Sequence, residues 1–237
     1  MLDRDDIPFE DIKRNMQELE FINKYLGGHK ITLDGIKYLI KSNQIIQQSN
    51  LSAETLVQVD NLIIAEIGCG GGDNLKAIHH WCQKKNIKAT FIGIDINNDC
   101  ITYAKENCKE LNAEYIISDY QLINFDEKPG IIFSSLFCHH FTDEELITQL
   151  NWMKENSSLG FFINDLHRHP LAYYSIKWLT KLFSKSYLVK NDAPLSVLRG
   201  FKKDEIKLLV KAPSKVANIK WKWAFRWLLI CPNPKGN

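Results

Sequence analysis

The sequence predicts an α/β fold with a doubly wound, mostly parallel sheet, and two observations carry this prediction. Short apolar runs of strand length alternate with helical patterns between residues 61 and 164, as in sheets whose strands are buried on both faces. Two further apolar runs, 217–221 and 225–231, flank a tight turn. They predict an antiparallel hairpin that completes the sheet.

The individual elements follow from local patterning. Apolar residues recur at helical spacing in two segments before the first strand, and Gly27 and Gly28 separate these segments. Thr142 and Glu145 predict a capping box, and Asp73 with Asn74 predicts the cap of the helix after the first strand. The predicted strands are 62–67, 89–94, 114–117, 130–136 and 160–164, before the hairpin. The predicted helices are 11–26, 32–49, 52–59, 73–84, 98–111, 142–155, 170–187 and 201–211.

The composition is that of an ordinary globular chain, with 237 residues, 45% hydrophobic and 24% charged. No apolar run approaches the roughly 20 residues of a membrane-spanning helix. The acidic start of the chain lacks the apolar core of a signal peptide, which favours a cytoplasmic protein. The six cysteines form no CxxC pair, so scattered reduced thiols are favoured over disulfides or a metal site.

Charge is distributed unevenly along the chain. From His167 onward there are 15 lysines and arginines against 3 acidic residues, whereas the residues through Leu166 have 15 against 25. Such asymmetry can indicate an anionic partner, including nucleic acid or a membrane surface. The alternatives are a basic cap packed on an acidic body and a dimer that pairs unlike surfaces. The oligomeric state stays open.

A glycine-rich turn joins the first strand to the next helix and is the strongest signal in the chain. The residues are EIGCGGGDN, with glycines at positions 68, 70, 71 and 72. A strand, a glycine turn and a helix N-terminus together form a nucleotide-type ligand site. Glu66 and Asp73 add negative charge where a pyrophosphate would lie, so the turn suits a cationic ligand better. The alternative is a glycine-rich turn with no ligand.

This turn resembles the first motif of the class I S-adenosylmethionine-dependent methyltransferases, (D/E)-x-G-x-G-x-G. The match is complete at Glu66, Gly68, Gly70 and Gly72. The resemblance implies a Rossmann-like, seven-stranded sheet and S-adenosylmethionine as cofactor, with S-adenosylhomocysteine as product. It also implies that Glu66 orients the methionine end of the cofactor, and that Cys69 and Asn74 complete this part of the site.

Later strands end in residues that fit the further motifs of the same family. By resemblance, Asp95 holds the ribose, Ile96 lies against the adenine face, and Asp119 approaches the adenine amino group. Tyr120 and Ser135 complete the implied cofactor-binding set. The alternatives are that Asp95 only caps the next helix and that Asp119 lies in a solvated turn.

Two histidine-bearing stretches follow neighbouring strands, FCHHF after the fourth and DLHRHP after the fifth. A histidine there can accept the proton that an oxygen acceptor loses on methylation. His140 and His139 are the first candidates for this catalytic role and His167 is the second. The alternative is that the pair only bonds loop backbone and shapes the pocket. Ser134 and Ser135 replace the carboxylates of metal-dependent relatives, so no metal is expected.

The segment after the fifth strand predicts an inserted helical cap rich in large apolar residues. Tyr173 and Tyr174, with Trp178 and Phe183, favour an apolar or aromatic acceptor. LEFINKYLGG, SSLFCHHF, DLHRHPLAYY and NDAPLSVLRGF together resemble a bacterial group of methyltransferases associated with phenolic, polyketide-type or quinone-like products. In that group Arg168, Asp192, Ser196 and Arg199 are recurring polar positions, which either bind substrate or tie the cap to the core. The expected substrate-binding residues are Arg168, Tyr173, Tyr174 and Arg199.

These observations combine into one functional hypothesis with two alternatives. The chain is expected to methylate a small aromatic, polyketide-like or quinol-type acceptor on oxygen. Residues 1–57 would form a helical lid, and 58–237 the cofactor-binding domain with its cap insertion at about 167–200. One alternative is an RNA methyltransferase that uses the basic C-terminal third, although no proline-containing motif follows the fourth strand. The other is a partner protein that binds cofactor without catalysis.

Overall fold

The sheet of the computed structural model, which describes residues 7–50, 61–210 and 217–233, confirms the predicted fold class. Its strands are β1 (Leu62–Ile67), β2 (Ala89–Asp95), β3 (Ala113–Ile117), β4 (Ile131–Ser135), β5 (Gly160–Leu166), β6 (Asn218–Lys222) and β7 (Arg226–Pro232). They lie in the order β3-β2-β1-β4-β5-β7-β6. The first five are parallel, and β7 runs antiparallel between β5 and β6.

The helices cover both faces of this sheet. They are α1 (Phe9–Tyr25), α2 (Gly28–Asn50), α3 (Asp73–Lys84), α4 (Asn98–Asn107), α5 (Asp143–Asn156), α6 (Pro170–Phe183), α7 (Tyr187–Arg199) and α8 (Lys203–Val210). The side chains of α2 and α3 form one apolar layer and those of α5 and α8 form the other. No helix among these residues is long and apolar enough to cross a membrane.

The core lies on both faces of the sheet because the central strands are apolar on both sides. Every residue of β4 is buried, and Phe133 stacks on Phe162 of β5 with ring centroids 5.0 Å apart. Helix α2 lies directly on this pair. A Cβ atom on Gly35 would come within 2.7 Å of the Phe162 ring, so this position requires glycine to let the helix approach the sheet.

Capping signals in the sequence are partly confirmed. Thr142 and Glu145 form the predicted capping box at α5. The predicted cap of α3 is wrong, because Gly72 with φ 75° precedes the helix and no side chain caps it. Asp73 and Asn74 lie inside the first turn and bond to other elements instead.

Helix ends differ from the prediction at several places. Helix α2 begins at Gly28, so only Leu26 and Gly27 separate it from α1. Helix α4 ends at Asn107 rather than at residue 111. The predicted helix 52–59 lies outside the described residues.

The predicted continuation of the cap helix to residue 187 is wrong. Helix α6 ends at Phe183, and a separate helix, α7, begins at Tyr187. Glu18 of α1 accepts hydrogen bonds from the backbone N–H groups of Lys185 and Ser186 between them. These bonds replace the ones that a continuous helix would have made.

The N-terminal helices contact the glycine turn directly. Met16 of α1 lies 3.3 Å from the position of a Cβ on Gly70 and packs with Tyr103 of α4. Helix α2 contributes Ile36 and Leu39 to the core. Both a roof over the site and a cover for the sheet fit these contacts, so the lid at residues 1–57 stays a prediction.

Candidate active site

The glycine turn is fixed to the end of β2 by its own backbone. The N–H groups of Gly68 and Cys69 both donate to the carbonyl of Ile94, and Gly70 N–H donates to Asp95 Oδ2 at 2.9 Å. Gly68 has φ 67°, and a Cβ there would meet the Phe137 ring at 2.4 Å. The glycine is therefore required by the close approach of Phe137 as well as by the backbone conformation.

Glu66 is buried directly beneath this turn. Its Oε1 accepts a hydrogen bond from Asn74 Nδ2 at 2.9 Å, while its Oε2 has no hydrogen-bond partner among the described residues. Burial, reinforced by the nearby charge of Asp73, raises the pKa of Glu66 well above its ordinary value. A carboxyl group with a free oxygen and acidic neighbours is suited to a cationic ligand.

A chain of buried hydrogen bonds runs from Glu66 across to β5 and β4. Asn74 Oδ1 accepts from Thr32 Oγ1 at 3.1 Å, and Thr32 Oγ1 accepts from Asn164 Nδ2 at 3.1 Å. Asn164 Nδ2 also lies 3.3 Å from Ser135 Oγ. The predicted cofactor residues Glu66, Asn74 and Ser135 are therefore joined through Thr32 and Asn164, which the sequence did not identify.

Asp95 occupies the predicted place at the end of β2. Its Oδ2 holds Gly70 and its Oδ1 accepts from Asn97 N–H at 2.9 Å. These two bonds fix the orientation of the Asp95 carboxylate at the end of β2, beside the glycine turn. Ile96 follows with 64% of its surface exposed, as expected for a residue that covers one face of a ligand ring.

The side chains of the other predicted cofactor residues differ in their exposure. The Cys69 thiol points into the core, 3.0 Å from the position of a Cβ on Gly93. Tyr120 is buried against Trp152, with ring centroids 5.2 Å apart. Asp119 is exposed and accepts from Gln121 N–H at 2.9 Å.

The two adjacent histidines have different environments. His139 is buried, its Nδ1 lies 2.8 Å from Asp165 Oδ1, and its Nε2 has no hydrogen-bond partner among the described residues. His140 is partly exposed, yet desolvation of the rest of its ring and the neighbouring His139 lower its pKa to about 4. Of the two, only His139 is oriented by a carboxylate.

Asp165 is ionised in this arrangement. Burial alone would raise the pKa of Asp165, but His139 and the backbone N–H of Leu166 outweigh burial and hold the pKa below its ordinary value. An ionised carboxylate can only accept hydrogen bonds, so whenever the His139 ring carries a single hydrogen, that hydrogen lies on Nδ1. Its Nε2 then has a free lone pair, as a general base requires.

A buried arginine links this pair to the N-terminal helices. Arg226, at the start of β7, donates from Nη2 to Asn23 Oδ1 at 3.0 Å. Asn23 in turn donates to Asp73, which also lies 2.7 Å from His29 Nε2. Burial lowers the pKa of Arg226 to about 10, against the opposing charges of Asp165 and Asp73. The sequence signal for this buried charge was a lone arginine at the start of the apolar run RWLLICP.

His167 and the predicted substrate residues lie farther along the cap. His167 Nδ1 accepts from Trp221 Nε1 at 3.1 Å, and Arg168 pairs with Glu205 of α8. Tyr173 lies beside Tyr174, which is 59% exposed, and Arg199 is exposed at the end of α7. The catalytic role of His167 and the substrate-binding roles of the other four stay predictions.

The polar groups come together because the strands share one edge. Ser135 of β4 is opposite Asn164 of β5, and Leu166 of β5 is opposite Arg226 of β7. The carboxyl ends of parallel strands are where ligands bind in open α/β sheets. Within the described residues, no group of three or more histidine, cysteine or acidic side chains is placed to hold a metal ion.

Comparison with known proteins agrees with this arrangement. Residues 64–156 match the family described as a methyltransferase domain. No curated protein sequence matches the chain.

Solved structures share the fold at low sequence identity. The plantazolicin methyltransferase BpumL in complex with SAH is 16% identical, with a TM-score of 0.57 over 94% of this chain and 96% of that one. The magnesium protoporphyrin IX methyltransferase of Synechocystis PCC 6803 with bound SAH is 12% identical, with a TM-score of 0.53 over 90% and 87%. A putative O-methyltransferase of Nostoc punctiforme PCC 73102 is 14% identical, with a TM-score of 0.54 over 81% and 56%.

Proposed function

We propose that the chain, whose residues 64–156 match a methyltransferase domain, is a class I S-adenosylmethionine-dependent methyltransferase that methylates a hydroxyl group of a small aromatic, polyketide-like or quinol-type molecule. The observation that carries this proposal is the buried pair of His139 and Asp165. Their 2.8 Å contact leaves His139 Nε2 without a partner among the described residues. A nitrogen acceptor that is already nucleophilic would not need such a base.

The acidic groups under the glycine turn fit the charge of the cofactor. S-adenosylmethionine, when bound, supplies an electrophilic methyl group on a positively charged sulfur. Glu66 Oε2, which has no hydrogen-bond partner among the described residues, would face the ammonium end, and Asp95, at the end of β2, would accept hydrogen bonds from the ribose. Phe137 lies against Gly68, so its ring borders this part of the site.

His139 would act on the acceptor rather than on the cofactor. As the acceptor oxygen becomes nucleophilic, its proton passes to His139 Nε2 and the imidazole becomes positively charged. Asp165 stabilises that charge and keeps the ring oriented. General-base assistance of this kind contributes about 10²–10⁴-fold to a rate.

The surrounding helices support a small acceptor. Helix α7 of the cap packs against the turn Cys138–His140, and α1 contacts α7. Such a roof would limit the size of the acceptor and exclude water from the base. The fold neighbours named for plantazolicin and magnesium protoporphyrin IX agree with a small-molecule acceptor. We propose that the N-terminal helices act as the lid and that the reaction takes place in the cytoplasm.

The test is methyl transfer to a panel of phenols and quinols by the wild type and by His139→Asn. An asparagine can keep the hydrogen bond to Asp165 but has no group at the position of Nε2. We expect a loss of about a hundredfold or more in kcat near neutral pH. The loss should shrink as the pH approaches about 10, where a phenol ionises by itself. Cofactor affinity should be unchanged.

His140→Asn is the matched control, because it changes the neighbouring ring without touching Asp165. It should retain most of the wild-type activity. Equal losses in both variants, or a loss in His139→Asn that raising the pH does not relieve, would contradict the base role. Methylation of amines but not of hydroxyls would contradict the proposed acceptor.

A further inference from the structure

The outer face of α6 exposes an unusual number of large apolar side chains. Six of them are between 41% and 76% exposed: Leu171, Tyr174, Trp178, Leu179, Leu182 and Phe183. Leu171, Tyr174, Trp178 and Leu182 follow one another at helical spacing of three and four residues, so they form one stripe. Contiguous exposed apolar surface of this kind usually marks an interaction site.

The stripe is not needed to hold the helix in place. The opposite face of α6 contains Ala172 and Thr180, both buried, and packs along α7. His169 Nδ1 accepts from the backbone N–H of Leu171 and caps the helix, with Pro170 in the first turn. The contacts with α7 and the His169 cap therefore hold the helix in place, and its outer face is exposed at the protein surface.

The charges on α6 all have the same sign. Its sequence, PLAYYSIKWLTKLF, contains lysines and no acidic residue. Lys177 and Lys181 are exposed, and their ammonium groups lie 5.6 Å and 5.7 Å from the ring centroids of Tyr173 and Trp178. Lys185, just beyond the helix, is also exposed. The lysines therefore border the aromatic stripe.

An apolar stripe bordered by lysines fits some kinds of partner better than others. In a symmetric dimer the stripe would meet itself, and the lysines of one copy would face those of the other at a cost in repulsion. An anionic lipid surface accepts both components at once, because apolar side chains enter the acyl boundary while lysines reach the phosphates. Tryptophan and tyrosine are favoured at that depth.

We propose that the outer face of α6 binds an anionic lipid bilayer, with the helix axis in the plane of the membrane. With 14 residues, α6 is shorter than the roughly 20 residues needed to span the bilayer. The protein would therefore attach peripherally and reversibly. This proposal goes beyond methyl transfer and does not depend on the identity of the acceptor.

The test is co-sedimentation of the full chain with two kinds of vesicle, pure phosphatidylcholine and phosphatidylcholine mixed with phosphatidylglycerol. We expect clear binding to the mixed vesicles, weaker binding to the neutral ones, and weakening of the former by salt. The double variant Trp178→Glu, Leu182→Glu should lose about a hundredfold or more in partition constant. Replacing Lys177 and Lys181 by alanine should cost about 25-fold on the mixed vesicles only.

Leu208→Glu is the matched control, because Leu208 is a 64% exposed leucine on α8. It should bind vesicles as the wild type does, and all variants should retain cofactor binding as proof of folding. Equal vesicle binding by the stripe variant and the wild type would overturn the proposal. So would a wild-type dimer that becomes monomeric in the stripe variant without any vesicle binding in either.

Discussion

The cofactor half and the acceptor half of the candidate site are held together over very different distances along the chain. In the cofactor half, Glu66 bonds Asn74 and Gly70 bonds Asp95, at separations of 8 and 25 residues. In the acceptor half, His139 bonds Asp165 at a separation of 26, and the adjoining Arg226 bonds Asn23 at 203. The two bonds named for the cofactor half lie within one β-α-β unit, whereas those of the acceptor half need β5, β7 and α1 in place.

The two halves should therefore fail separately when single residues are changed. A carboxylate removed from the acceptor half should lower turnover and stability but leave cofactor affinity intact. A carboxylate removed from the cofactor half should weaken cofactor binding but leave the turnover of the loaded enzyme largely unchanged. Each of the following changes tests this separation.

The largest effect is expected for Asp165→Asn. The new amide can donate to His139 Nδ1, which moves the ring hydrogen to Nε2 and removes the base. We expect kcat on a phenol acceptor to fall about a thousandfold. Buried Arg226 also loses a counter-charge, so the free energy of unfolding in urea should fall by about 3 kcal/mol. Weaker cofactor binding in calorimetry would show instead that the halves are coupled.

A smaller effect is expected for Asp95→Ala. The change removes the proposed ribose ligand and the acceptor of Gly70 N–H. Calorimetry should show a cofactor affinity about a hundredfold weaker, or ~2–3 kcal/mol. Asp119→Ala is the comparison. Because Asp119 is exposed, its loss should weaken cofactor affinity only about fivefold. An unchanged affinity in Asp95→Ala would remove that residue from the cofactor half.

The smallest effect is expected for Glu66→Gln. Here the variant should resist the loss of stability at higher pH better than the wild type does. Because burial raises the pKa of Glu66, the folded state holds its proton more tightly than the unfolded state does. The wild type should therefore lose stability as the pH rises from the ordinary glutamate pKa to the raised one. Glutamine keeps the bond from Asn74 and has no proton to lose. Urea unfolding at pH 6 and pH 8 should show a flatter pH dependence in the variant, with weaker cofactor binding.

The separation along the chain between bonded residues also explains how much of each half the sequence could predict. The strand, glycine turn and helix of the cofactor half are contiguous, so the motif could be recognised and the parallel sheet predicted around it. Asp165 was visible as part of DLHRHP, but its pairing with His139 depends on β5 lying beside β4. Arg226 could be assigned only once β7 is known to lie next to β5.

Polar residues on the N-terminal helices were missed for another reason. Asn23 and Thr32 belong to amphipathic patterns, where a polar side chain is normally assigned to solvent. Only the docking of α2 on the sheet, and of α1 on α2, turns them inward. The break between α6 and α7 was missed because apolar spacing continues across it, while the group that ends the helix, Glu18, lies far away in the chain.

Gly35 shows how a residue without a side chain governs the chain of polar side chains beneath the turn. The Phe162 ring that it touches is fully buried and stacked on Phe133, so it has nowhere to move. Even a single methyl group at position 35 would lift α2 from the sheet. Thr32, one turn earlier on the same helix, would then be carried beyond hydrogen-bond reach of both Asn74 and Asn164. The spacing between two layers of apolar packing thereby sets whether five buried polar side chains can act as one connected unit.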